Sequence, residues 1–410
     1  MLVKYHSKQL LKGEQHIMII RSKRIYAEDG VVDGYLVVED GKVKDICDMS
    51  ANLTADIDAT DKMVIPGIFD THNHGALGYT LMDTAEDSKA EIKGYLKGIA
   101  SQGVTNVFPS NGTNVKMIAE VAREENDGAT IVGIHSEGPY LNRVGEKGIN
   151  TGYPEVDIEF VKQMVKDGDG LLKLVALAPE IEGTDEVIEY LTSQGIRVAF
   201  AHSDCNYGEA KAAFDKGISV STHTANVMSG IHHRNMGGLG ACLLNEDVWC
   251  EAICDGLHVS PEMLRIMFSV KPYHKWMMVS DNVPMSGAPV GRYDLYGRYQ
   301  VTIGEDGFCL SDTGRLMGST KPVLYGMGVL HKELGIPMET VVQMASLNPC
   351  IVYGLDKEKG SLAKGKDADF VVISDDYQAL YTYCNGRKVY DYQVDTDVFN
   401  PDFLEQMKIS

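Results

Sequence analysis

The sequence lacks any apolar run near the ~18 residues needed to span a bilayer, and its start, MLVKYHSKQLLKGEQH, holds no apolar stretch ahead of a small-residue cleavage site. Membrane association and export are therefore not expected, and a cytoplasmic protein is. Cysteine is sparse: eight residues, Cys47, Cys205, Cys242, Cys250, Cys254, Cys309, Cys350 and Cys384, with no C-x-x-C pair. That scatter excludes a disulfide scaffold, a zinc knuckle and a C-x-x-C redox motif. Positive charge is also short, since 38 Lys and Arg against 58 Asp and Glu leave a net charge of −20. So acidic a surface repels polyanions, which argues against a nucleic-acid partner and requires that any anionic substrate find its cations gathered locally. There is no internal repeat, low-complexity tract or long charge run.

What remains is an ordinary globular composition, 44% hydrophobic and 23% charged over 410 residues, long enough for two or three domains or one large barrel with an attachment. Both ends read as β-structure. Residues 17–46 alternate apolar runs around Asp40-Gly41, and residues 368–391 repeat the style around Asn385-Gly386, two hairpin turn signals. Between them, eight apolar β-type runs alternate with helical stretches: 63–69, 104–109, 130–135, 171–178, 197–202, 218–223, 248–254 and 276–280. Helices are expected over 84–101, 155–167, 184–194, 206–216 and 260–270. This predicts an α/β chain: a (β/α)8 TIM barrel over 64–350, with a small β-sandwich domain built from 1–63 and 351–410.

Most of these strands are followed at once by side chains able to bind metal or move protons. FDTHNHG gives Asp70, His72 and His74, and GIHSEGP gives His135 and Glu137. His202 ends the fifth strand and His223 the sixth, His258 follows the seventh, and Asp281 follows the eighth. A lone His at a strand end is more often a hydrogen-bonded structural residue, Glu137 alone reads equally as a helix cap, and Asp281 alone as a turn residue. Their recurrence at one end of successive strands is what favours a metal site at the barrel mouth. His72 and His74, at i and i+2 of a strand, point to one side and can share an ion. Imidazole and carboxylate donors suit zinc first, with iron, manganese and cobalt as alternatives.

The ordered set FDTHNHG, GIHSEGP, AHS, STHTANVM, ICDGLHV, VSDN and RLMGST, with the closing GSLAKGKDADFVV, resembles the N-acetylglucosamine-6-phosphate deacetylases of the amidohydrolase superfamily. The resemblance implies one or two divalent ions, an amino sugar phosphate as substrate and a homodimer. It implies that Glu137 bridges or binds the metals, that His202 and His223 share the more constant site with it, and that His72 and His74 hold a second ion. It assigns Asp281 as catalytic base and acid. Asn226 and Val227 would line the sugar phosphate, Arg234 would bind phosphate, and His258 would contact substrate. Arg234 sits in SGIHHRNMGGLGACL beside His232 and His233, and its planar guanidinium suits a phosphate.

The chain departs from the family where KKGxH is usual: it reads NRVGEKGIN, so Asn150 stands at the substrate-contacting His, and an amide cannot carry a proton. Val227 and Met317 replace the common Ala residues, and VSDNVP replaces TDA. The leading expectation is hydrolysis of N-acetylglucosamine 6-phosphate to glucosamine 6-phosphate and acetate. The alternatives are a related amidohydrolase acting on another N-acetyl amino sugar or amide, or on a cyclic amide or deaminase substrate, and a catalytically silent barrel kept for assembly or sensing. Silence is disfavoured by retention of the proton-transfer Asp281.

Overall fold

Residues 63–73 form one apolar run in the sequence, and Gly67 divides it. A Cβ at Gly67 would lie 2.1 Å from the Thr105 Oγ1, so only glycine lets the chain pass so close to its neighbour. Before the break, Met63–Pro66 pairs antiparallel with Phe370–Ile373 and parallel with Ile17–Ala27. After it, Ile68–Asn73 becomes the first barrel strand, parallel to the second, Val104–Pro109. The expected single strand over 63–69 is thus two strands in two sheets. The computed structural model describes residues 17–82, 87–143, 154–295, 297 and 299–409.

Six further barrel strands follow in order, each parallel to the next: Ile134–Glu137, Leu172–Leu177, Arg197–Phe200, Ile218–Ser221, Trp249–Ile253 and Trp276–Val279. The expected third strand is broken as well, with Thr130–Ile131 pairing to the second strand before Ile134–Glu137 begins. Single bridges complete the ring, Ser110 to His135 and Asn73 to Asn282. At the second of these seams the Asp281 N–H donates to the His72 carbonyl at 2.9 Å and the His74 N–H to the Asn282 carbonyl at 2.7 Å.

The helices between strands start where capping chemistry allows. Ser260 accepts the Met263 N–H ahead of Pro261–Val270, which has Pro at its first position, and Asn206 with Glu209 forms a capping box on Tyr207–Asp215. The first of these helices turns Leu264, Met267 and Phe268 inward, where Phe268 meets the buried Trp276 edge-on at 5.1 Å between ring centres. Truncating Trp276 to Ala would cost about 3–5 kcal/mol in lost burial and cavity. No helix among the described residues is long and apolar enough to cross a membrane.

The two ends share one sheet, ordered Arg387–Asp391, Ala379–Cys384, Phe370–Ile373, Met63–Pro66, Ile17–Ala27, Gly30–Glu39 and Lys42–Asp48, with Ile57–Asp58 beside Ile17–Ala27. Both hairpin signals form turns with positive φ, at Asp40 and Gly41 and at Asn385 and Gly386, as two-residue hairpin loops require. Lys359 is buried beside them, its Nζ 2.8 Å from both Asp367 Oδ2 and Asp369 Oδ2. A further sheet was not anticipated: Gly291–Leu295, Tyr299–Ile303 and Cys309–Ser311 leave the barrel after the eighth strand, and Lys408–Ile409 pairs with Gly291–Leu295.

Candidate active site

The site lies where the barrel strands end. His72 is the last residue but one of the first strand and His74 follows its end, and their Nε2 atoms stand 3.0 Å apart on one side as the i, i+2 spacing predicts. Glu137, last residue of the third strand, enters between the histidines. Its Oε1 is 2.9 Å from the Nε2 of both His202 and His223, while its Oε2 is 3.2 Å from His74 Nε2 and 3.8 Å from His72 Nε2. His202 and His223 face each other at 3.2 Å between Nε2 atoms. Asp281 completes the other side, with Oδ1 3.5 Å from the Nε2 of His72 and of His74.

Two ligand trios result, His72 with His74 and Asp281, and Glu137 with His202 and His223, each with all its donor atoms within 4.8 Å of one another. Nitrogens bound tetrahedrally at 2.0–2.1 Å from one ion would stand roughly 3.3 Å apart, close to the His–His separations here. The donor set therefore fits a divalent ion in each trio, with Glu137 offering one oxygen to each side.

Electrostatics follow from this packing. Burial alone would raise the Glu137 pKa, but His202, His223 and His72 outweigh it and hold the carboxyl well below its usual range. For His72 burial opposes charge, yet Asp281, Glu137 and Glu251 together lift it well above an ordinary imidazole. His135 lies beneath, its ring 4.5 Å from that of His72; burial, then the charge on His72, pushes it well below the ordinary value, so it stays neutral.

The backbone is bent to bring these groups together. His202, His223, Val227 and Asp281 all take positive φ, a costly conformation for non-glycine residues and most of all for β-branched Val227. Supporting contacts fix the rings: His202 Nδ1 meets the Arg143 carbonyl at 2.7 Å, His74 Nδ1 the Ser110 carbonyl at 3.0 Å, and His72 Nδ1 the Glu251 carboxylate at 3.4 Å. Glu251 is fully buried and also accepts from the Thr71 hydroxyl at 2.8 Å. A cavity of about 710 Å³ opens above the trios, lined by Asn226, Val227, His258, Asp281 and Arg315 among others.

The amidohydrolase family model matches residues 63–389. The N-acetylglucosamine-6-phosphate deacetylase of Vibrio furnissii is 32% identical over 393 residues, covering 93% of this chain and 97% of the relative. The chain belongs to the amidohydrolase family, on its N-acetylglucosamine-6-phosphate deacetylase branch. The N-acetylgalactosamine-6-phosphate deacetylase of Escherichia coli O157:H7 is 31% identical over 377 residues, covering 90% of this chain and 98% of the relative. Among solved structures, the N-acetylglucosamine-6-phosphate deacetylase from Pasteurella multocida superposes with a TM-score of 0.81 at 26% identity, over 91% of this chain and 99% of that one. Amidohydrolases share the TIM barrel with its small β-sandwich, use divalent metals and hydrolyse amides, and this chain is such an enzyme.

Within this amidohydrolase the sequence-predicted residues divide. His72, His74, Glu137, His202, His223 and Asp281 converge, and Asn226, Val227 and His258 line the cavity above them. Asn226 Nδ2 donates to the His258 carbonyl at 2.9 Å, and His258 Nδ1 is held by Asp255 Oδ2 at 2.8 Å. Arg234 lies outside that lining on an exposed loop, with Nη1 2.6 Å from His233 Nε2. Asn150 is outside the described residues. Asp70 does not join the ligands: it is buried and accepts from Ser280 Oγ at 2.6 Å and Asn73 Nδ2 at 3.0 Å, tying the first strand to the eighth.

Four supporting residues were passed over in the sequence. Glu251 carries a signal, a lone carboxylate inside the apolar run VWCEAIC, where an unpaired charge is not tolerated. Asp255 stands three residues before His258 and could have been read as its partner. Ser110 carries no local signal, and Arg315 opens the RLMGST segment with no role read for it.

Proposed function

We propose that this enzyme removes the acetyl group from N-acetylglucosamine 6-phosphate, giving glucosamine 6-phosphate and acetate. The observation that carries the reading is Glu137, one oxygen toward His202 and His223 and the other toward His74, in a chain 32% identical over 393 residues to a deacetylase of that name. The reading includes zinc as the ion, a cytoplasmic homodimer, and a barrel over 64–350 with the β-sandwich over 1–63 and 351–410. These finer points rest on the family resemblance.

Glu137, His202 and His223 would hold one ion, and His72 and His74, with Asp281 beside them, the other. A bound divalent ion supplies a water of lowered pKa and Lewis-acid pull on the amide carbonyl. Asp281, beside His72 and His74, accepts the proton of the attacking water and returns it to the departing amine nitrogen, first base and then acid. Asn226 and Val227 border the sugar, and His258, fixed by Asp255, presents a rigid ring to it. Their pre-set positions lower the entropy cost of aligning the amide with Asp281.

A second reading, an N-acetylgalactosamine 6-phosphate deacetylase, is supported by the Escherichia coli relative and by Val227 where the family commonly has Ala. Metal analysis of the purified protein, followed by acetate release from both phosphorylated sugars and their unphosphorylated forms, tests the two together. Highest kcat/KM on the gluco substrate supports the first reading and highest on the galacto substrate the second. No acetate from any of them with metal present would sink both.

A further inference from the structure

The cavity contains a guanidinium, Arg315, that opens the RLMGST segment and to which neither the resemblance nor the metal chemistry gives a role. Arg315 is the sole Lys or Arg on the described cavity lining, in a chain with a net charge of −20. Its Nε is buried with no hydrogen-bond partner, and no carboxylate among the described residues pairs with it. Arg21, Arg24, Arg123, Arg292 and Arg387 by contrast each pair with an aspartate. A buried donor left unmade is a cost that folding ordinarily avoids, and it is relieved when a ligand supplies the acceptor.

The backbone that carries Arg315 is held by hydrogen bonds. It turns back on the strand Cys309–Ser311: the Ser311 N–H donates to the Arg315 carbonyl at 2.8 Å, the Arg315 N–H to Ser311 Oγ at 3.1 Å, and the Met317 N–H to the Cys309 carbonyl at 3.0 Å. Gly318 follows with φ +88°, where a Cβ would come within 2.6 Å of Val283 Cγ1 and 2.9 Å of the Asp281 carbonyl oxygen. The Ser319 N–H then donates to that same carbonyl at 2.8 Å. The hairpin is therefore keyed to the Asp281 segment, with Arg315 no more than three extended residues, roughly 10 Å, from the point of contact. A hexose with its amide at C2 and an anion at C6 has a reach of that order.

We propose that Arg315 binds the phosphate monoester of the substrate and sets the preference for phosphorylated over unphosphorylated sugar. The planar fork of a guanidinium matches phosphate oxygens, and the acidic surroundings leave that wall of the cavity as the place where an anion is attracted. The identity of the sugar rests on the deacetylase reading, whereas anion capture by Arg315 does not require turnover.

The test uses the metal-loaded enzyme with Arg315→Gln, Arg315→Lys and Arg234→Gln. Two quantities are measured: the ratio of kcat/KM for N-acetylglucosamine 6-phosphate to that for N-acetylglucosamine, and calorimetric binding of glucose 6-phosphate, which has no amide to cleave. Arg315→Gln is expected to lower the ratio about 30-fold through KM and to weaken glucose 6-phosphate by a similar factor, with part of each restored in Arg315→Lys. An unchanged ratio and unchanged glucose 6-phosphate binding in Arg315→Gln would overturn the proposal, as would their collapse in Arg234→Gln alone. If the wild type releases no acetate, the deacetylase reading falls while the binding arm still decides the role of Arg315.

Discussion

Asp281 donates its backbone N–H to the carbonyl of His72 at 2.9 Å while its Oδ1 lies 3.5 Å from the Nε2 of the same His72. One seam of the barrel thus fixes both the proposed proton carrier, Asp281, and a candidate metal ligand, His72. Asp70 reinforces that seam through Ser280, so the distance between them depends on strand pairing and not on a mobile loop.

Replacing Asp281 with Asn keeps the shape and removes the proton acceptor. The ion held by Glu137, His202 and His223 and the substrate affinity should hold while kcat falls by about three orders of magnitude. Single-turnover acetate release against metal analysis checks this, and a near-normal kcat would move the role to another group.

Glu137→Gln should release both ions, because one oxygen of the carboxylate faces His202 and His223 and the other faces His74. Mass-spectrometric metal analysis after dialysis should find well under one equivalent per chain and no acetate release. Full retention of both ions would contradict the bridging role.

Glu251→Gln probes support one step further from the ion. His72 loses its charged partner while every proposed ligand remains, so metal affinity should drop by about 10–100-fold at the His72 and His74 side alone. A competition titration should show one tight and one weakened equivalent. Equal weakening of both would mean that Glu251 acts on the whole barrel.

Lys359 and Asp367 give a pH signature distant from the site. Burial opposes ionisation of Asp367, but Lys359 and Lys42 outweigh it and lower its pKa, so its contribution to stability is present above the ordinary Asp value, about 3.9, and is lost as the pH falls through the lower folded value. Lys359→Met should destabilise the protein by on the order of 3 kcal/mol near neutrality, since the buried Asp369 loses its cationic partner and keeps only the hydrogen bonds from Asn106 and Asn385, and should flatten the loss of Tm on acidification. Thermal melts from neutral pH down to acid check both parts.

Much of the site was legible because its chemistry follows the strand period. His72 and His74 declare a shared direction by their spacing, and His202, His223 and Asp281 each sit where an apolar run stops. The break at Gly67 was not legible, since the runs on either side are equally apolar and only contact with Thr105 separates them. Glu251 stood out as a lone carboxylate inside an apolar run, but its role was not legible, since its partner Thr71 lies 180 positions away. Arg315 follows the last strand of an added sheet completed by Lys408–Ile409, a pairing that no local pattern encodes.

The seam between the first and last barrel strands also sets an order of events during synthesis. The Ser280 N–H reaches Asp70 across 210 positions of sequence, and at 5–20 residues per second that interval takes roughly 10–40 s to translate. A nascent chain therefore carries His72, His74, Glu137, His202 and His223 before Asp281 exists and before the ring can shut. The trio of Glu137, His202 and His223 is therefore synthesised in full before the trio of His72, His74 and Asp281 gains its last member.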